Sequence, residues 1–258
     1  MLLIPESMQM ANTKQSLVIS VVSHGHGAMV QQLLQQLASE LYAVGISRVV
    51  LTLNVPEALP VPPAGGWPFQ LDILRNMRPQ GFSFNHNQAL AGADENFYCL
   101  INPDVDLSQG NPFPALIEAL QSTCSGLAYP RQINGSGGLQ DSERAVPTPW
   151  ALFKRYAFKN QEQSVDWVNA AFWLVKRSAW QSVQGLDAGF FMYCEDVDFC
   201  LRLRAKGWKI VRADAQVIHA GQRASHRDWR HFGWHIRALM RLWTRPVFWR
   251  HQYARKEK

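Results

Sequence analysis

The chain has 258 residues, 47% hydrophobic, 11% aromatic and 18% charged, which suits one sizeable α/β core better than two full domains. No stretch approaches the roughly 20 apolar residues of a spanning helix. Met1 to Met10 contains Pro5 and Glu6 and lacks a positive n-region and a cleavage pattern, so the expectation is a cytoplasmic protein without a secretory leader. The net charge of +6 is unevenly placed: residues 202–258 hold 15 Lys or Arg against 3 acids, and residues 1–201 hold 11 against 17. A basic tail on an acidic body points to an anionic partner for the tail alone, a membrane surface or a nucleic acid.

Residues 1–16 are polar and aperiodic and are expected as a loose arm. Leu17-Val-Ile-Ser-Val-Val22 is a short β-branched run of the kind buried on both faces of a parallel sheet. Val30, Leu33, Leu34, Leu37 and Leu41 then keep helical spacing, and Arg48-Val-Val-Leu-Thr-Leu53 supplies a second strand, completing a βαβ unit. Five prolines make 55–68 a loop, after which Gly81-Phe-Ser-Phe-Asn-His-Asn87 leads into a helix over residues 88–93. Phe97-Tyr-Cys-Leu-Ile101 is a buried strand ended by Pro103, which cannot donate to a ladder. Asn102-Pro-Asp-Val-Asp106 therefore sits at a strand's carboxyl end, the edge where open α/β sheets bind ligands. Residues 107–165 add a helix at 113–121, a strand at 127–129 and a Gly-rich turn at 135–138, with no specific chemistry. Cys99, Cys124, Cys194 and Cys200 lack the paired spacings of a zinc site and predict reduced core thiols.

An acid after a strand, such as Asp104, is by itself an ordinary loop or cap residue. The second acidic cluster, Phe190-Phe-Met-Tyr-Cys-Glu-Asp-Val-Asp198, raises its standing. Glu195, Asp196 and Asp198 open a helix that runs on to Gly207. Acids in a first turn complement the helix dipole, and Asp198 is four residues from Arg202, so a structural role suffices for Asp198. Stabilising one helix end does not need so many carboxylates beneath so apolar a segment, which leaves Glu195 and Asp196 as functional candidates. His219 follows a third short apolar stretch. It reads either as an ordinary histidine or as the completion, with Asp104, of a site for a hard cation.

The ordered set Val22-Ser-His-Gly-His, Asn54, Gly81-Phe-x-Phe-Asn-x-Asn87, Ile101-Asn-Pro-Asp104, Val165-Asp-Trp167, Gly185-Leu-Asp187, Phe190 to Arg202, Gly207 and His219 resembles the family 2 glycosyltransferases, within them the bacterial rhamnosyltransferase branch. The resemblance spans residue 17 to about 245. It implies a GT-A fold, a Rossmann-like, mostly parallel sheet flanked by helices, and an inverting transfer from a nucleotide-sugar. By the same resemblance, Asp104 ligates a divalent cation, Mg²⁺ or Mn²⁺, that His219 can complete. Asp196 is the catalytic base, Glu195 and Trp167 face the acceptor, and Ser23, Asn54, Phe82, Asn85, Asn87 and Asn102 line the donor side. It favours L-rhamnose from dTDP-rhamnose, with a UDP-sugar as the alternative, and a lipid-linked saccharide acceptor in cell-surface polysaccharide synthesis. Leu53 and Asn102 stand where relatives often carry carboxylates. The cation would then lean on the substrate's phosphates or on Asp106, and a non-catalytic nucleotide-sugar-binding protein of the same fold stays open.

From Trp229 the apolar residues Trp229, Phe232, Ile236, Leu239, Met240 and Trp243 share one helical stripe, flanked by Arg227, Arg230, Arg237, Arg241 and Arg245. The expected organisation is an arm over 1–16, a GT-A domain over 17–225 and a basic amphipathic helix with its tail over 226–258. That stripe either packs on the domain or meets lipid. Trp234, Leu242 and Val247-Phe248-Trp249 lie off it and favour an anionic membrane surface, hence a peripheral place at its inner face. Clustered carboxylates at the sheet edge argue against specific nucleic-acid binding.

Overall fold

The structure, a computed structural model, describes residues 16–39, 45–158, 165–221 and 229–256. The expected arm before Ser16, the helical Leu41 and the flanking Arg227 lie outside the described residues.

The elements in chain order are β1 (Leu17–Ser23), α1 (Gly27–Ala38), β2 (Ile46–Leu53), β3 (Gln70–Arg75), α2 (Phe82–Ala89), β4 (Phe97–Ile101), β5 (Val105–Asp106), α3 (Phe113–Ala119), β6 (Ser125–Ile133), β7 (Glu143–Arg144), α4 (Pro149–Phe158), β8 (Trp167–Val168), β9 (Phe172–Lys176), α5 (Arg177–Ser182), α6 (Glu195–Ala205), β10 (Lys209–His219), α7 (Trp229–Trp243) and α8 (Pro246–Lys256). Eight strands form one mixed sheet in the order β3-β2-β1-β4-β9-β6-β10-β5, and β7 pairs with β8 as a separate ribbon. The first four strands are parallel, and β9 is antiparallel to both β4 and β6.

The sheet is buried on both faces, as the unbroken apolar runs predict. On β1, Val18 belongs to one core cluster while Leu17, Ile19 and Val21 belong to the other. Strand β4 divides in the same way, with Tyr98 and Leu100 opposite Phe97, Cys99 and Ile101. Helices α1 and α3 cover one face through Val30, Leu33, Leu34, Leu37, Phe113 and Leu116. The other face receives α2, α5, α6, α7 and α8. Such alternation is the period-2 rule with no solvent-facing side left over.

Three details differ from the sequence expectation. Strand β3 lies inside a stretch without a continuous apolar run, because it is an outer strand whose residues are half-buried or exposed. The helix expected at 88–93 lies earlier: the Gly81–Asn87 segment is itself helix α2, begun at Gly81. Most consequentially, the single C-terminal helix is two, broken at Thr244–Arg245 where Pro246 excludes continued helix before it.

The face by which α7 packs also differs. Ala238, Leu239 and Leu242 enter the core, and Phe248 of α8 is fully buried there. Trp229, Phe232, Ile236 and Met240 remain 88%, 57%, 46% and 57% exposed. Leu242 and Phe248 had stood among the residues reserved for lipid; both are core. Helix α7 therefore carries two adjacent apolar faces, and only one is used internally. Among the described residues no helix is long and apolar enough to cross a membrane. Cys99, Cys194 and Cys200 are buried free thiols and Cys124 is a half-buried one, matching the expected reduced state.

Candidate active site

Two groups of candidate side chains gather at the edge reached by the carboxyl ends of β1, β2 and β4. The first joins β4 to β10. Strand β5 pairs antiparallel with the end of β10, matching Val105 with His219, and the Ala220 N–H donates to the Asp104 carbonyl. This register sets the His219 Nε2 atom 3.4 Å from Asp104 Oδ1. On the other side of the ring, His219 Nδ1 lies 2.9 Å from Gln140 Oε1, while the Gln140 amide N–H donates to the His219 carbonyl. An amide oxygen only accepts, so Nδ1 is the donor in that bond and Nε2 is the ring nitrogen that faces Asp104. An imidazole nitrogen and a carboxylate so opposed fit a shared cation, with Gln140 as the outer group that orients the ligand. Asp106 is not part of this pair. Its carboxylate accepts from Gln36 Nε2 at 2.6 Å and from the Ser108 N–H at 2.8 Å, which ties it to α1. Among the described residues there is no cluster of three or more His, Cys, Asp or Glu able to hold a metal, so two side chains would share such an ion with substrate oxygens.

The second group opens α6. Tyr193 and Cys194 both have left-handed backbones, with φ 72° and 61°, a conformation that non-glycine residues hold only when their surroundings impose it. Those surroundings are visible. Phe82 donates its N–H to the Phe191 carbonyl at 2.8 Å, and a Cβ on Gly81 would meet that oxygen at 2.5 Å, so only glycine permits the approach. Past this bend, Glu195 is buried, with its Oε2 lacking any hydrogen-bond partner among the described residues. Burial, then the neighbouring Asp196 charge, pushes the Glu195 carboxyl well above the usual range. Burial also raises Asp196, to about 6, against the pull of the Val197 N–H bonded to its Oδ1 and of the Arg144 guanidinium. A carboxyl so tuned is ionised at neutral pH yet still basic, as a general base requires. Asp198 is the contrast: fully buried, it is held by Arg202 at 2.6 Å and Arg245 at 3.1 Å, so its role is structural, as its spacing suggests.

A short connection links the two groups. Helix α6 packs against β8, and from β8 the chain reaches Ala171, whose carbonyl accepts from the Asn102 N–H beside Asp104. Trp167 on β8 is buried, donates its indole N–H to the Ala145 carbonyl and lies beneath Arg144, whose guanidinium stands 5.7 Å from the ring centroid. It thus lies behind Arg144, whose charge acts on Asp196. Nothing in the sequence had marked Arg144, because its strand is two residues long.

The donor-side candidates form a closely bonded frame. Ser23 donates to Glu57, which also accepts from the Gly25 N–H; Glu57 was missed, lying in the proline-rich loop. Asn54 Oδ1 accepts from Asn76 Nδ2 and the Gln80 N–H, both at 2.8 Å, and its Nδ2 donates to the Gln80 carbonyl at 3.0 Å. Asn85 Oδ1 accepts from the same Asn76 at 2.7 Å. Asn87 spends both ends of its amide on the Leu186 backbone. Phe82 is half-buried, edge-on to His86. Beside the frame, Gly25, Gly27, Leu51, Leu53, Glu57 and Pro60 line a cleft of ≈ 160 Å³.

No protein-family model matches the chain. It is 27% identical over 254 residues to rhamnosyltransferase WbbL of Escherichia coli (strain K12), covering 88% of this chain and 92% of that protein. N-acetylglucosaminyl-diphospho-decaprenol L-rhamnosyltransferase of Mycobacterium tuberculosis is 28% identical over 153 residues, about half of either chain. Among solved structures, mannosyltransferase PcManGT from Pyrobaculum calidifontis, in complex with GDP-Man and Mn²⁺, superposes with a TM-score of 0.59 at 12% identity. That likeness covers 87% of this chain and 64% of the mannosyltransferase. S. aureus TarS gives 0.51 at 11% identity, over 80% of this chain and 35% of TarS. Fold, ordered motifs and relatives together support a glycosyltransferase of the GT-A fold that is similar to bacterial rhamnosyltransferases.

Proposed function

We propose that the protein transfers L-rhamnose from dTDP-rhamnose, with inversion, to a hydroxyl of a lipid-linked saccharide during cell-surface polysaccharide synthesis. The observation that carries this is Asp196, a half-buried carboxyl whose pKa of about 6 suits a base, next to the buried and unpartnered Glu195. In the transfer, the acceptor oxygen bonds to the anomeric carbon as the bond from that carbon to the nucleoside diphosphate breaks. Asp196 takes the acceptor's proton, so no covalent sugar–enzyme intermediate is required and one displacement inverts the centre. Glu195, whose carboxyl is pushed toward its protonated form by burial and the neighbouring Asp196 charge, offers a hydrogen bond to the acceptor sugar and itself gains a partner. Asp104 and His219 would hold Mg²⁺ or Mn²⁺ against the diphosphate, where such an ion neutralises charge on the leaving oxygen. The segment around Ser23, Asn54 and Asn85 supports the nucleotide beside the cleft at Gly25 and Leu53. WbbL and the mycobacterial enzyme, by their names rhamnosyltransferases, support the choice of sugar. The second name contains a diphospho-decaprenol, which supports a lipid-linked acceptor at the inner face of a cytoplasmic membrane, approached through the basic C-terminal region.

A panel of dTDP- and UDP-sugars, scored for released nucleotide with Mg²⁺, Mn²⁺ or a chelator, tests this. Turnover fastest with dTDP-rhamnose and lost with chelator is expected. Preference for a UDP-sugar reassigns the donor, undiminished activity in chelator removes the ion, and no turnover with any donor favours a nucleotide-sugar-binding protein.

A further inference from the structure

Helix α7 stands between the loop that carries the base and the solvent. On its inner side, His231 Nδ1 lies 2.8 Å from the Tyr193 hydroxyl, the His235 ring lies tilted against the Tyr193 ring at 5.0 Å between centroids, and Trp234 meets Phe191 at 5.1 Å. Arg241 of the same helix binds both Asp187 oxygens at 3.0 Å, at the start of that loop. Arg245, in the break before α8, reaches Asp187 at 3.3 Å and Asp198 of α6 at 3.1 Å. Residues 187–198, with the left-handed Tyr193 and Cys194 in their middle, are therefore gripped from one side by α7. These two arginines, expected to face outward, turn inward because they neutralise acids of the catalytic domain.

The outer side of α7 is of opposite character. Trp229, Phe232, Ile236 and Met240 follow one another at steps of three and four residues, which puts them on one face. The exposed Arg237 borders that face, and α8 adds exposed Trp249, Arg250 and Tyr253. Across residues 229–256 there are five Lys or Arg besides the inward Arg241 and Arg245, and no acid. An exposed apolar face edged by arginines, with Trp and Tyr nearby, matches the headgroup boundary of an anionic bilayer, where apolar area and cationic edge are both satisfied.

We propose that this outer face of α7 seats on an anionic lipid surface and that the seating, through the inner face of the same helix, fixes the loop before Glu195 and Asp196, so that the surface activates the enzyme as well as locating it. The lipid-facing role rests on the membrane reading above. What is new is the identity of the face and its coupling to the base.

The test uses the full chain, vesicles of phosphatidylcholine with or without phosphatidylglycerol, and a water-soluble acceptor glycoside, so that acceptor delivery plays no part. Sedimentation with the phosphatidylglycerol vesicles alone is expected, with kcat raised on the order of fivefold or more, the lower end of ordinary coupling between sites. Phe232→Glu/Ile236→Glu is expected to lose both binding and activation while keeping its vesicle-free rate. Tyr193→Phe, lacking the bond to His231, is expected to bind vesicles with a smaller activation ratio. Binding that survives the double change, or self-association that the double change abolishes, overturns the seat. Binding without a change in kcat overturns the coupling. Amide hydrogen exchange over residues 187–198 reads the coupling without turnover: slower exchange on vesicles is expected and unchanged exchange refutes it. If no donor or acceptor is turned over, the transferase reading fails while sedimentation and exchange still decide this one.

Discussion

The proposed donor edge and the proposed acceptor edge of the candidate site are built in opposite ways. Around Asn54, amide groups of Asn54, Asn76, Asn85 and Gln80 satisfy one another over distances of 2.7–3.3 Å. Around Glu195, a buried carboxyl oxygen has no partner and two residues before it are in left-handed conformations. A satisfied network is rigid and unique, suiting a surface that must hold a nucleotide in one register. An unsatisfied buried carboxyl costs stability and is retained where a ligand or a reaction supplies what is missing. The difference supports the proposed division, with recognition at one edge and chemistry at the other.

The sharpest way to break that division is Asp196→Asn. Loss of a positioned base is expected to lower kcat about 10²–10⁴-fold with the melting temperature preserved or raised, since a raised carboxyl is removed. In the wild type kcat should climb with pH through about 6, where Asp196 ionises, and then level. A variant that keeps most of its turnover would move the base elsewhere.

Next in size is Arg245→Met, which keeps the apolar stem but removes the charge shared by Asp187 and Asp198. Removing one member of a buried ionic group costs about 3–5 kcal/mol; about 2–3 is expected here because Arg202 still pairs with Asp198 and Arg241 with Asp187. Thermal unfolding measures it. Asn54→Ala should follow at about 1–3 kcal/mol, the cost of orphaning buried partners on Asn76 and Gln80, and should raise the donor KM more than it lowers kcat. Equal loss in both parameters would mean that the frame reaches into the chemistry.

How much of this was legible follows from what sequence spacing can encode. Strands β1, β2 and β4 are continuous apolar runs, so their burial on both faces is written locally. Asp104 lies just past the end of β4 and His219 ends β10, and strand ends are readable; the pairing of β5 with β10 that sets them 3.4 Å apart is not. Helix α2 was hidden because Gly81-Phe-Ser-Phe-Asn-His-Asn87 is rich in residues that favour caps and turns, and it forms through tertiary contacts at Phe191 and Leu186. The inward turn of Arg241 and Arg245 was illegible for another reason. A stripe flanked by arginines looks the same whichever way the arginines face, and only Asp187 and Asp198, more than forty residues away, decide it.

The smallest expected effect isolates Glu195. Its ordinary pKa is about 4.3, and in the folded protein burial and Asp196 raise it well above that value. Below pH 4 the group is protonated in both folded and unfolded chains and contributes nothing to pH dependence. As pH rises, the unfolded chain releases this proton first, so the folded state binds more and stability falls with pH until the folded pKa is passed. Glu195→Gln cannot ionise and escapes that loss. Its melting temperature should therefore match the wild type near pH 4 and exceed it by a margin that grows as pH rises above 5 toward the raised pKa of Glu195. A constant offset across that range would mean that Glu195 is ionised in the folded protein, and the acceptor edge would then hold a charge where we place a hydrogen-bond donor.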